Sequence, residues 1–140
     1  MANITIYTDG AARGNPGPSA SGYIIYQDGI EVARGAKYNG SATNNFAEYN
    51  AIILALGWCI KNIKDHGECD AEIYSDSELV VRQLNGRYRV KSAAMKPLRF
   101  EAQSLASRFG SIKFKNLPRE DKRIKEVDAM LNRLLDRMGH

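Results

Sequence analysis

The chain has 140 residues, 44% of them hydrophobic, and a formal net charge of +4, which fits one compact domain, residues 1–140, able to bury a real core. The longest apolar run, Ala51 to Ile60, is too short for a bilayer, and "MANITIYTDG" has neither a basic opening nor a long apolar stretch. No membrane span or secretory signal is visible, and the expectation is a cytoplasmic monomer with no membrane contact. Between Arg82 and Lys125 there are thirteen Lys and Arg against Glu101, Glu120 and Asp121, a net of +10 that leaves −6 for the rest, so a polyanion partner beside a cation-binding cluster is expected, against the plainer reading of a solvated surface.

"NITIYTD" alternates, with Ile4 and Ile6 on one side, as a strand does; "GYIIYQ", Asp28-Gly29 and "IEVARGAKY" make a hairpin on a primed two-residue turn. Thr43 caps a helix that runs to about Lys64 and breaks at His66-Gly67; Trp58 and Cys59 on it are assigned to the core. Cys59 and Cys69 show no CxxC or Cys/His spacing, so both thiols are read as structural, with no disulfide framework or zinc site. "AEIYSD" is a fourth strand, and "SELVVRQL" is a short helix stopped near Gly86. "KPLRFEAQSLASRF" is a helix with Pro97 in its first turn and its end at Gly110. "SIKFKNLP" is the fifth strand and "DKRIKEVDAMLNRLLDRM" a last amphipathic helix. The order βββαβααβα predicts an α/β domain: a mixed five-stranded sheet, three antiparallel strands and then parallel ones, with helices on its faces.

Glu48 falls at the centre of an apolar helix face with Ala51, Ile52, Ala55 and Cys59, where a lone buried charge would cost several kcal/mol unless something pairs with it. Asp9 and Asp76 each end a predicted strand, the end at which crevices open in α/β sheets; the alternative for each is a turn former or helix cap. Asp128 sits at the edge of the stripe Ile124, Val127, Leu131 and Leu135, and is expected to lean towards the body of the protein. Four such acids would repel one another and some would protonate without a cation; with a divalent metal they are hard oxygen ligands of the kind magnesium prefers. That suits phosphoryl transfer assisted by one or two magnesium ions, and the chain has no GxSxG and no paired Cys and His to offer a covalent route.

"YTDGAARGNPG", "TNNFAEYNAIILAL", "IYSDSELVVRQLNG" and "PREDKRIKEVDAML" resemble, in order and approximate spacing, the four motifs of type 1 ribonuclease H, and the resemblance covers nearly the whole chain. It implies that Asp9, Glu48, Asp76 and Asp128 are the catalytic and metal-binding set, with two magnesium ions when substrate is bound and manganese as a substitute. The implied activity is endonucleolytic hydrolysis of the RNA strand of an RNA/DNA hybrid, leaving 3′-hydroxyl and 5′-phosphate ends. Asn15, Asn44 and Asn45 match positions near the minor groove, where 2′-hydroxyls mark the RNA strand. Thr43, with Asn15 and Arg13, matches the region that holds a phosphate of the DNA strand, although "TNN" also reads as a helix cap.

Three features depart from the family pattern. Many relatives carry a histidine in the loop before the last acid, and "KNLPREDKRIKEVD" has none. His66 is about 20 Å from the strand end that bears Asp76 and His140 is terminal and taken as disordered or irrelevant, which leaves Lys122, Arg123, Glu120 or a bound water for that role. The last motif is longer, with Ile124 where relatives have Asn, so Asp121 and Glu126 compete with Asp128; helix geometry favours Asp128. The basic, Trp-containing protrusion of some relatives is replaced by "NGRYRVKSAAMKPL", a handle-less form in which Arg87, Arg89, Lys91 and Lys96 track phosphates with little sequence preference. A module that binds hybrid without cutting, and an acidic-cluster exonuclease or phosphatase, are the rival readings.

Overall fold

The alternation of Ile4 and Ile6 with Thr5 and Tyr7 builds β1 (Asn3–Ala12), and β2 (Gly17–Gln27) and β3 (Ile30–Ala42) follow as the expected hairpin in a computed structural model that describes residues 2–140. Asp28 and Gly29 take φ of 51° and 81°, the left-handed pair that a primed turn requires. After them come α1 (Asn44–Asn62), a single 3₁₀ turn at His66–Glu68, β4 (Asp70–Ser75), α2 (Glu78–Leu84), α3 (Lys96–Ala106), β5 (Ser111–Asn116) and α4 (Lys122–Arg137). The five strands lie in the order β3-β2-β1-β4-β5, antiparallel among the first three and parallel from β1 to β4 to β5.

Alternation puts Ile4, Ile6, Ile25 and Ile73 on one face, where they meet Ile52, Ala55, Leu56 and Cys59 of α1, and Val80, Leu84 and Ala102 of α2 and α3 extend this core. Each fully buried Leu or Ile contributes about 1.5–3 kcal/mol. On the opposite face α4 packs against β1, β2 and β3, with Leu131 and Leu135 over Ala20. Both cysteines are free and buried, and burial pushes the Cys59 thiol up to about 12. No helix among the described residues is long and apolar enough to cross a membrane.

Several boundaries differ from expectation. β1 does not stop at Asp9, because β2 begins at Gly17 and pairs with it through Asp9–Gly22 to Ala12–Ser19; β3 likewise runs on to Ala42. α1 ends at Asn62, with Ile63 extended, and α3 ends at Ala106. Trp58 is half-buried at the margin of the core, with Cys59 the inward residue at that turn. His140, expected to be disordered or irrelevant, is instead docked: its ring stacks on Tyr38 at 5.4 Å, and its carbonyl accepts from Arg13.

Candidate active site

Three elements bring Asp9, Glu48 and Asp76 together. Asp9 stands on β1 where that strand has outrun β4, whose last partner there is Tyr74 opposite Tyr7. Glu48 comes from the second turn of α1, a helix started by the Thr43 hydroxyl, which accepts from the Phe46 amide at 3.1 Å. Asp76 follows the last residue of β4 and precedes Ser77, whose hydroxyl caps α2. One oxygen from each of Asp9, Glu48 and Asp76 lies within 4.8 Å of the other two.

The backbone holds this cluster tightly. The Gly10 amide donates to Asp9 Oδ1 at 3.0 Å and to Glu48 Oε1 at 3.1 Å, and the Ser75 hydroxyl donates to Glu48 Oε2 at 3.2 Å. A Cβ on Gly10 would stand 2.3 Å from the carbonyl carbon of Ala47, so the close approach of α1 to β1 requires glycine. Ser21 on β2 donates to the Ala47 carbonyl at 2.7 Å, and Asn39 and Asn50 extend this chain of hydrogen bonds between β3 and α1. Glu48 is thereby fixed in both height and rotation.

Burial and mutual repulsion raise all three pKa values. Asp9, only 4% exposed, is pushed up to about 10, first by burial and then by the charges of Glu48, Asp76 and Asp128. Glu48 is pushed up to about 8 by burial and by Asp76. Asp76 is raised by burial and partly relieved by Arg119, whose Nε lies 3.9 Å from Asp76 Oδ2. A set of oxygen donors that resists ionising together, with no nitrogen or sulfur in it, fits a hard divalent cation, and these three carboxylates could hold one.

Asp128 departs from expectation. It is exposed and lies outside the group of three, accepting from the Asn132 amide at 3.2 Å, yet it lines the same cleft of about 590 Å³. Its competitors are occupied elsewhere: Asp121 caps α4 by accepting from the Arg123 and Ile124 amides, and Glu126 pairs with Arg34 and Arg123.

The expected substrate residues divide. Asn44 and Asn45 line the cleft beside Ala12. Asn15 Oδ1 accepts from the Asn44 amide at 3.0 Å, and Asn44 Oδ1 accepts from the Ala12 amide at 3.1 Å. Asn15 Oδ1 and Thr43 Oγ1 thus both act as acceptors for backbone amides of the first turn of α1, those of Asn44 and Phe46. Arg13 is not brought to that spot: it is tied to α4, through Asp136 at 2.8 Å and Asn132 Oδ1 at 3.1 Å. Arg87, Arg89 and Lys91 border a groove that begins at Asn45, and Lys96 lines its continuation.

Sequence reasoning missed four residues. Gly10 was visible only as the residue after Asp9, and its double donation depends on α1. Arg119 lines the cleft because the β5–α4 loop returns past Asp76. Tyr88, 44% exposed with the Arg82 guanidinium 5.2 Å from its ring centre, and Phe100, 75% exposed, add aromatic surface beside the basic loop; the interleaving in "RYR" was the available signal.

Comparison with known proteins shows the family. Residues 1–129 match the family described as RNase H. The chain is 39% identical over 134 residues to Ribonuclease HI of Halobacterium salinarum, covering 95% of this chain and 64% of the relative. It is 36% identical over 135 residues to a bifunctional protein of Mycobacterium tuberculosis, covering 95% of this chain and 35% of that one, so it spans less than two thirds of either. Among solved structures, RNase H1 from Halobacterium salinarum superposes with a TM-score of 0.85 at 38% identity, over 96% of this chain and 98% of that one. LC11-RNase H1, solved in complex with an RNA/DNA hybrid, does so with a TM-score of 0.89 at 34% identity, over 98% and 99%. The chain belongs to the ribonuclease H family.

Proposed function

We propose that this chain is a magnesium-dependent endonuclease that hydrolyses the RNA strand of RNA/DNA hybrids, with Asp9, Glu48, Asp76 and Asp128 as its acids. The observation that carries the reading is the carboxylate triad within 4.8 Å, two of its members buried, at the head of a cleft lined by Asn44 and Asn45. Support also comes from the likeness to a structure that contains a hybrid. A divalent ion held by these oxygens would supply neutralisation of phosphate charge and a more acidic water.

The chain's own groups do the positioning. Gly10 and Ser75 fix both oxygens of Glu48, so the acid cluster needs no rearrangement when the scissile phosphate arrives. Asn44 and Asn45, at the first turn of α1, present amides that both donate and accept, the capacity needed to read a 2′-hydroxyl. Asp128 completes the acid set from the open side of the cleft, where it stays exposed for lack of neighbours. The basic stretch from Arg87 to Lys96 holds the paired strand by its phosphates, giving salt-dependent binding with little sequence preference. The chain acts as a cytoplasmic monomer, with manganese able to replace magnesium.

Product analysis tests this. A hybrid labelled along its RNA strand should yield internal fragments with 3′-hydroxyl and 5′-phosphate ends in magnesium and stay intact in chelator, while the DNA strand is uncut. Mononucleotides would indicate an exonuclease, and intact but bound hybrid a binding module.

A further inference from the structure

α4 packs on β1, β2 and β3, and among the described residues no helix packs on the same face of β4 and β5. Tyr7 and Tyr74 are register partners on β1 and β4, and their rings stack at 5.2 Å and 15°. Tyr26 meets Tyr7 edge-on at 5.9 Å, with the Arg123 guanidinium 5.2 Å from the Tyr26 ring centre. Lys115 lies opposite Tyr74 on the edge strand β5, and Lys113 opposite Glu72; both lysines are exposed. Two acids face this strip: Glu72, which accepts from the Tyr74 hydroxyl at 2.6 Å and from Lys115 at 3.0 Å, and Asp121, whose charge reaches Tyr7 and whose carboxylate accepts from the Arg123 and Ile124 amides at the start of α4.

This strip adjoins the cleft. Side chains two apart on a strand share a face, so Tyr7 lies one pleat, about 7 Å, from Asp9, and Tyr74 lies two residues before Asp76. Arg119 at the cleft wall and Arg123 above Tyr26 join the two regions with positive charge. Stacked rings on an open sheet, fringed by lysine and arginine, suit unpaired bases on a polyanionic backbone. A duplex keeps its bases inside and gains nothing from the rings.

We propose that the open face of β1, β4 and β5, centred on Tyr7 and Tyr74 and bordered by Lys113 and Lys115, binds single-stranded nucleic acid that continues from the strand seated in the cleft. It rests on the functional reading above for the identity of that strand. The protein would then favour hybrids that carry a single-stranded extension on one side over blunt hybrids of equal paired length.

The test compares fluorescence anisotropy of a single-stranded RNA oligonucleotide, in chelator, with cleavage of blunt and tailed hybrids in magnesium. Tyr74→Leu keeps apolar cover on the sheet and removes the ring; Lys113→Glu alters only an exposed side chain. Each should weaken oligonucleotide binding about fivefold or more and erase the advantage of a tail, while blunt-hybrid cleavage stays at the wild-type rate. Lys61→Glu, on the exposed end of α1, controls for net charge and should change neither. If Tyr74→Leu fails to fold, Lys113→Glu decides alone. Unchanged oligonucleotide binding in Lys113→Glu, or an equal loss in Lys61→Glu, overturns the proposal, and cleavage of blunt hybrid in the same series shows separately whether the nuclease reading stands.

Discussion

Replacing Asp9 with asparagine should stabilise the metal-free protein. Two unit charges 4.8 Å apart would repel by about 3.5 kcal/mol at an effective dielectric of 20, so Asp9, Glu48 and Asp76 cannot all ionise together. Burial first, and then the charges around it, keep the Asp9 carboxyl protonated at neutral pH, pushed up to about 10 in the folded state. Holding neutral at pH 7 a group that ionises near pH 3.9 when unfolded costs about 1.4 kcal/mol per pH unit, about 4 kcal/mol in all. The asparagine side chain is neutral in both states, still offers an amide oxygen to the Gly10 N–H, and can donate to Glu48. Relief by water in the open cleft reduces the gain to about 2–3 kcal/mol, or about 6–9 °C in Tm for a domain of this size. Because the folded pKa is raised, the wild type is most stable below the unfolded value and loses stability as pH climbs towards the folded one. The gap between variant and wild type should thus be small at pH 4.5 and several-fold larger at pH 8. Thermal unfolding followed by circular dichroism in chelator measures both. A variant no more stable than wild type at pH 8 would refute the repulsion argument. Adding magnesium should shrink the gap, since only the wild type has all three ligands and gains their binding energy.

Asp128→Asn should reduce turnover at least tenfold more than Asp121→Asn, which keeps a helix-capping oxygen, or Glu126→Gln, which loses only surface ion pairs worth about 1 kcal/mol or less; one cleavage assay on the three variants checks this, and a dead Asp121 or Glu126 variant would reassign the fourth acid. Arg87→Ala with Arg89→Ala should lower the slope of log affinity against log salt by about 1–2 and affect saturated turnover less; an unchanged slope in filter binding would place the phosphate track elsewhere. Gly10→Ala should cost more than about 3 kcal/mol or prevent folding, since its Cβ meets the backbone of α1 at 2.3 Å; a chemical denaturation midpoint near wild type would show that α1 can move away.

Much of this site could be read from the chain because its signals are local. Glu48 betrays itself as the one carboxylate on an apolar helix face, and Asp76 by standing between a strand and the Ser77 cap. What was not legible depends on partners distant in sequence. β1 continues past Asp9 because β2 supplies hydrogen bonds as far as Ser19, and nothing in "DGAA" announces that. Asp128 lies beside the apolar stripe of α4 as its periodicity says, but its exposure depends on how far the cleft opens opposite it. Arg13 looks free in sequence and is claimed by Asp136, more than a hundred residues later, while the docking of His140 on Tyr38 has no periodicity to reveal it.

The most direct measurement is the rate of RNA-strand cleavage in a hybrid as magnesium is titrated, for the wild type and for Glu48→Gln, which keeps the shape of the residue and its acceptor oxygen but removes its charge. The wild type should go from no cleavage in chelator to a saturating rate, and the variant should stay at least a hundredfold slower at every magnesium concentration while remaining folded. Cleavage by the wild type that persists in chelator, or a Glu48→Gln rate near wild type at saturating magnesium, would contradict the assignment of the carboxylate cluster as the seat of metal-assisted hydrolysis.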